Sequence, residues 1–146
     1  MILLIDGYNL LYALHYEGES LEKEELISEI ISYNRKKGNK IFLVFDGGIY
    51  GGLIDREEKV GNVTIIYTSH NKTADDKIKE LSRKYRNGCV VVSSDREVKH
   101  SALKNGSGVI SSEDFIKKLF GRFCNSDYER CGKRSSRKIR NMLKKI

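Results

Sequence analysis

Proline, tryptophan and glutamine are absent from the 146 residues, and cysteine is scarce. The three cysteines, Cys89, Cys124 and Cys131, are odd in number and include no C-x-x-C pair. That excludes a disulfide framework and leaves no zinc-ligand spacing. No run approaches the roughly 18–20 consecutive apolar residues that a membrane-spanning helix needs, so no membrane partner is expected. The opening stretch MILLIDGYNLLYAL lacks a basic region and carries Asp6 where a signal peptide is apolar. The expected compartment is the cytoplasm. Lys-rich, glutamine-free usage occurs in some thermophile proteins, but nine asparagines point away from such a source.

What is present, 39% hydrophobic and 32% charged residues, suits one globular domain with a sizeable core. The net charge of +7 is unevenly placed. Residues 122–146 hold nine Lys/Arg against two acids, whereas residues 1–121 hold eighteen of each. The chain therefore divides into a neutral domain, 1–121, and a basic extension, 122–146, expected to be helical and part of the same unit. A basic block attracts a polyanion, RNA above all. The charges expected to meet it are Lys133, Arg134, Arg137, Lys138, Arg140, Lys144 and Lys145. A solubilising, disordered tail is the plainer reading of the same charges.

Short apolar runs punctuate the domain: MILLI at 1–5, IFLVF at 41–45, VTIIY at 63–67 and CVVV at 89–92, with Val109–Ile110 as a fifth. Continuous runs of this length suit strands buried on both faces of a parallel sheet. Helical spacing lies between them. Leu21, Ile27, Ile30 and Ile31 form a stripe that Gly38 ends, Ala74, Ile78, Leu81 and Tyr85 form another, and Ser112 opens a third segment with acids in its first turn. The alternation predicts an α/β, doubly wound, mostly parallel sheet of about five strands flanked by helices.

In such a sheet, sites form beyond the carboxyl ends of the strands. Asp6 follows the first run, Asp46 the second, and Asp95 comes two serines after the fourth; Asp75 lies in the first turn of the helix after the third. Any one of them has a bland explanation as a turn or cap residue. Four converging carboxylates stay ionised only with cations between them. All-oxygen ligands suit Mg2+ or Mn2+, and the chemistry they support is phosphodiester cleavage.

D-G-Y-N at 6–9, F-D-G at 45–47, T-A-D at 73–75 and S-S-D at 93–95, in that order, resemble the NYN domains of the PIN-like nuclease superfamily, in particular the YacP-like branch. The resemblance extends from residue 1 to about 120. It implies a PIN-like fold and metal-dependent endonucleolytic cleavage of single-stranded RNA; in-line attack with metal on the leaving oxygen would leave a 5′-phosphate and a 3′-hydroxyl. It also implies that Asp6, Asp46, Asp75 and Asp95 hold the Mg2+ or Mn2+, with Asn9 a polar partner beside them. Asp76, next to Asp75, is expected to be a solvated helix residue.

The Gly47–Gly52 segment reads as a rim loop on which Tyr50 stacks a base, or as a plain flexible connection. It is not a P-loop, since no Gly-Lys-Ser/Thr follows. Ser69, Thr73, Ser93 and Ser94 are candidates to orient a carboxylate or simply to cap. His15, His70 and His100 read as surface residues, and Cys89 as core. Two rival functions remain: a non-catalytic module binding RNA or a ribonucleoprotein, and a phosphatase or nucleotide-binding enzyme. The second would need a D-x-D nucleophile or a phosphate loop, and neither is present.

Overall fold

The computed structural model describes residues 1–18 and 21–120. Their elements are β1 (Ile2–Asp6), α1 (Gly7–Tyr16), α2 (Lys23–Lys37), β2 (Lys40–Phe45), β3 (Arg56–Val60), β4 (Val63–Tyr67), α3 (Ala74–Tyr85), β5 (Cys89–Val92), α4 (Arg96–Lys104) and β6 (Gly108–Ile110). A fifth helix, α5, occupies residues 112–120. The strands form one six-stranded sheet in the order β3-β4-β2-β1-β5-β6, parallel throughout except for β3 against β4. The expected division at residue 121 falls at the limit of the described residues, and the whole basic extension lies outside them.

The sheet has one strand more than the apolar runs suggest. That strand, R-E-E-K-V, exposes all five side chains, so it carries no burial pattern to read. It is added by a hairpin: Val60 pairs Val63 across Gly61-Asn62, and Gly61 supplies the positive φ of 60° at the first turn position. The chain thus passes from β2 to β4 through an antiparallel edge strand, where strict alternation calls for a helix. An edge of Arg, Glu, Glu and Lys also discourages pairing with other chains.

Both faces of the sheet are covered, and pleat parity decides which side chain meets which layer. Leu3, Ile5, Ile41, Leu43 and Phe45 pack with Leu10 and Leu14 of α1, Leu26 and Ile30 of α2, and Phe115 and Leu119 of α5. Leu4, Phe42, Val44 and Val91 face the other way, onto Ala74, Ile78 and Leu81 of α3 and Val98 and Ala102 of α4. The α2 stripe ends at Gly38, with φ 69°, as its spacing predicts. At its start Glu22 and Glu25 close a capping box. Continuing the alternation of β1 and β2, Asp6 and Asp46 fall on the same face as Leu4 and Val44, the face that α3 covers.

Candidate active site

Asp6 ends β1 and caps α1, its Oδ1 accepting the Asn9 N–H at 3.3 Å. It is only 7% exposed. Its side chain shares a cavity with Asp75, in the first turn of α3. Burial pushes the Asp6 pKa up to about 6; the Asn9 N–H works against this, while the charges of Asp75 and Asp95 reinforce it. Asp75 is also raised, first by burial and then by the charge of Asp95, with Lys79 pulling the other way.

Asp95 caps α4, its Oδ1 accepting the N–H groups of Glu97 at 2.9 Å and Val98 at 3.2 Å. Asp46 accepts the Gly48 N–H on Oδ1 at 2.8 Å. Both spend one oxygen on the local backbone and keep the other. A cavity of about 380 Å³ is lined by Asp6, Tyr8, Asn9, Asp46, Thr73 and Asp75, so four of the five expected site residues share one opening. Asp95 is coupled to it through the charges it imposes on Asp6 and Asp75. Among the described residues no three His, Cys, Asp or Glu side chains stand as a ready cage for an ion. The donor set is still one that Mg2+ accepts, since that ion keeps several waters and commonly takes only one or two carboxylates.

Asn9 serves the architecture as well as the opening. Its Oδ1 accepts the Ser94 N–H at 2.9 Å and the Ser112 hydroxyl at 2.6 Å. Because Ser94 N–H can only donate, the amide orientation is fixed, and Nδ2 is the atom left to act as a donor. Ser94 Oγ in turn accepts the Ser112 N–H and donates to Glu113. The turns after β1 and β5 and the start of α5 are thereby tied together.

Packing explains two glycines of the motifs. A Cβ on Gly7 would stand 2.3 Å from the buried Phe45 ring, and one on Gly47 would stand 2.1 Å from the Thr68 carbonyl oxygen. In T-A-D, Thr73 is the N-cap of α3 and Ala74 is buried. Asp76 is an exposed residue of α3, as expected, and it also caps: its carboxylate accepts the Thr73 N–H and closes a capping box, which holds its pKa below the usual carboxylate range. Ser93 is fully buried and accepts the Asp95 N–H.

The three histidines are exposed; His70 touches the Gly52 carbonyl through Nδ1. Cys89 is buried beside Ser107. In the rim loop, Gly48–Tyr50 forms a short 3-10 turn, with Tyr50 93% exposed. The seven expected RNA-binding cations at 133–145, together with Cys124 and Cys131, lie outside the described residues. Sequence reading missed Tyr8, Lys23, Arg56 and Tyr67, which line the rim of the same edge. For Tyr8, the signal was present inside D-G-Y-N.

The six-stranded, mostly parallel sheet with helices on both faces is an α/β fold of the PIN-like nuclease type. The chain belongs to the YacP-like NYN domain family, which matches residues 3–145 and so includes most of the basic extension. The uncharacterized protein YacP of Bacillus subtilis (strain 168) is 33% identical over 92 residues, 59% of this chain and 54% of that protein. The matched stretch thus spans about half the length of that relative. The crystal structure of Rae1 (YacP) from Bacillus subtilis is similar over 99% of this chain and 83% of that one, at TM-score 0.64 and 23% identity. A mutant of Rae1 matches over 98% and 97%, at TM-score 0.64 and 22% identity. These structural likenesses bear on the fold. Among the described residues no helix is long and apolar enough to cross a membrane.

Proposed function

We propose that this chain is a metal-dependent endoribonuclease that cleaves single-stranded RNA at the carboxyl edge of its sheet. The observation that carries this reading is the shared opening: Asp6, Asp46 and Asp75 line one cavity, Asp6 buried and Asp75 partly so, with no ion pair to Asp6 or Asp75 among the described residues. Lys79, the cation whose charge acts on Asp75, is already bonded to Glu97 at 2.9 Å. A pair held at such cost in desolvation suits a divalent cation.

Asp6, Asp46 and Asp75, with Asp95 as a further acid at the same edge, would hold Mg2+ or Mn2+. When bound, the ion supplies a water of lowered pKa and offsets charge on the leaving oxygen. The chain's own residues do the rest. Asn9, anchored through Oδ1, presents Nδ2 as a fixed donor to a phosphate oxygen. Thr73 and Asp76 fix the first turn of α3 and with it the direction of Asp75. The charges at 133–145 add affinity for the strand, by charge alone.

The test is cleavage of a labelled single-stranded RNA by the purified chain in Mn2+ and in EDTA, with Asp6→Asn alongside. Cleavage that needs both the metal and Asp6 supports the reading; cleavage surviving Asp6→Asn and Asp75→Asn overturns it. The absence of a preformed three-ligand cage among the described residues favours the second reading, a module that binds RNA without cutting it. Tight binding with no cleavage under any divalent cation would establish that one.

A further inference from the structure

Two cavities meet at this edge of the sheet. The smaller is the acid opening described above. The larger, about 610 Å³, shares Tyr8 and Asp46 with it and runs under the rim loop toward β3. Besides Asp46 and Asp55, its lining presents tyrosine rings and two cations.

Tyr8 is 47% exposed, and its ring meets the buried Phe45 ring at 72° with centroids 5.0 Å apart. That edge-on packing fixes the ring without covering it. Arg56 holds its guanidinium 4.5 Å from the centre of the Tyr67 ring, and Lys23 holds its ammonium 4.8 Å from the same point. Neither Lys23 nor Arg56 forms an ion pair among the described residues. The other acid lining this cavity, Asp55, is already committed to the Ser69 N–H at 2.8 Å, to Lys77 at 3.2 Å and to Lys72 at 3.7 Å. Two cations therefore rest on aromatic faces beside a cluster of acids without being neutralised by it. A docked tyrosine, a guanidinium resting over a ring and an ammonium beside it are the groups that stack a base and meet its phosphate.

We propose that this larger cavity is a nucleotide subsite: it holds the nucleotide adjoining the scissile phosphate of single-stranded RNA, the base stacked on Tyr8 and the flanking phosphate met by Arg56 and Lys23. The proposal rests on the reading of the acid opening as the cleavage site. Stacking on a ring and a guanidinium is tolerant of base identity, so the subsite selects an unpaired nucleotide and not a sequence. A base-paired strand keeps its bases stacked on one another and cannot offer one to Tyr8.

The experiment measures binding of the full chain in EDTA, where cleavage does not intervene. A short labelled single-stranded RNA is compared with a set in which each position in turn lacks its base. In the parent, removing the base at one position should weaken binding about tenfold. In Tyr8→Ala that position should become silent, while Tyr8→Phe retains it. Tyr8→Leu, which keeps an apolar side chain against Phe45, should abolish it as alanine does, so that a packing defect is told apart from the loss of stacking. Arg56→Gln should weaken every member of the set alike. A flat profile in the parent, or the same dip persisting in Tyr8→Ala and Tyr8→Leu, overturns the subsite. The dip in binding with no cleavage in Mn2+ would leave the subsite standing and remove the nuclease reading. Cleavage with a flat profile would do the reverse.

Discussion

The side-chain oxygen of Asn9 accepts the backbone N–H of Ser94 at 2.9 Å, across 85 residues of sequence. The same oxygen takes the Ser112 hydroxyl, so one atom joins the turn after β1, the turn after β5 and the head of α5. Asp6 and Asp95 flank this bond by three residues and one residue respectively. The turns that carry these two acids, already neighbours through the pairing of β1 with β5, are thus tied by an amide between them.

Asn9→Ala leaves the Ser94 N–H and the Ser112 hydroxyl without their shared acceptor. A buried donor stripped of its partner costs about 1–3 kcal/mol, so urea denaturation should show a loss in that range. Cleavage should fall further than the stability change explains, since Asp6 and Asp95 lose their common tether. Unchanged stability would mean that water replaces the amide, and the tether would then lose its structural role.

Asp6 gives a pH dependence with an unusual sign for a carboxylate. Its folded pKa of about 6 lies above the ordinary value of 3.8, so the fold favours the neutral form. The resulting stabilisation is complete below the unfolded pKa near 4 and is lost as pH rises through about 6. The shift corresponds to on the order of 3 kcal/mol. In EDTA, Asp6→Asn should therefore raise the melting temperature at pH 8 and leave it nearly unchanged at pH 4. Equal effects at both values would show that the carboxyl is not held neutral. Stability gained on removing an acid that activity requires is the usual mark of a site built for a ligand.

Local features were legible in the sequence to the extent that they bury apolar side chains. MILLI, IFLVF, VTIIY and CVVV correspond to β1, β2, β4 and β5 because each is covered on both faces. β3 was not legible: its five side chains are all exposed, and only the turn at Gly61 marks it. The convergence of Asp6, Asp46 and Asp75 on one opening follows from strand ends and parity, which sequence carries. The partners of Asn9 do not follow, because they come from turns distant in the chain. Lys23, Arg56 and Tyr67 were hidden for the same reason. Each looks like an ordinary surface or strand residue until β3 folds back beside β4.

Asp55 braces the rim loop from below. Burial raises its pKa, but the Ser69 N–H and the ammonium groups of Lys77 and Lys72 outweigh this and hold it below the usual range. Its contribution is therefore present at neutral pH and lost as pH falls through its lowered folded value. Asp55→Ala should cost about 1–3 kcal/mol, by loss of a charge-assisted bond to the backbone and of two ion pairs. Hydrogen exchange should show faster opening at Ser69 than in the parent. Protection equal to the parent at Ser69 would count against a bracing role.

Deleting residues 133–146 removes Lys133, Arg134, Arg137, Lys138, Arg140, Lys144 and Lys145 and no acid. For every phosphate that these charges no longer neutralise, the slope of log K against log salt should flatten by about 0.7 on a single strand. Affinity for RNA should fall, while the rate at saturating RNA should change little. An unchanged slope in filter-binding titrations would mean that these charges serve solubility or another partner.

Asp75 and Asp76 are adjacent, about 100° apart around α3, and chemically identical. Asp75 lines the acid opening with Asp6; Asp76 closes the capping box with Thr73. Changing each to asparagine separates catalysis from architecture with one atom replaced in either case. Asp75→Asn should bind RNA in EDTA at least as tightly as the parent, because one negative charge has left a crowded edge. It should cleave about a hundredfold more slowly in Mn2+, comparable to the upper range for losing even an outer partner of a metal ligand. Asp76→Asn keeps an oxygen for the Thr73 N–H, so it should cost at most about 1 kcal/mol of stability and retain most activity. Equal loss in both variants would mean that the first turn of α3 acts only through its fold. Intact binding with no cleavage in the parent or either variant would leave an RNA-binding module.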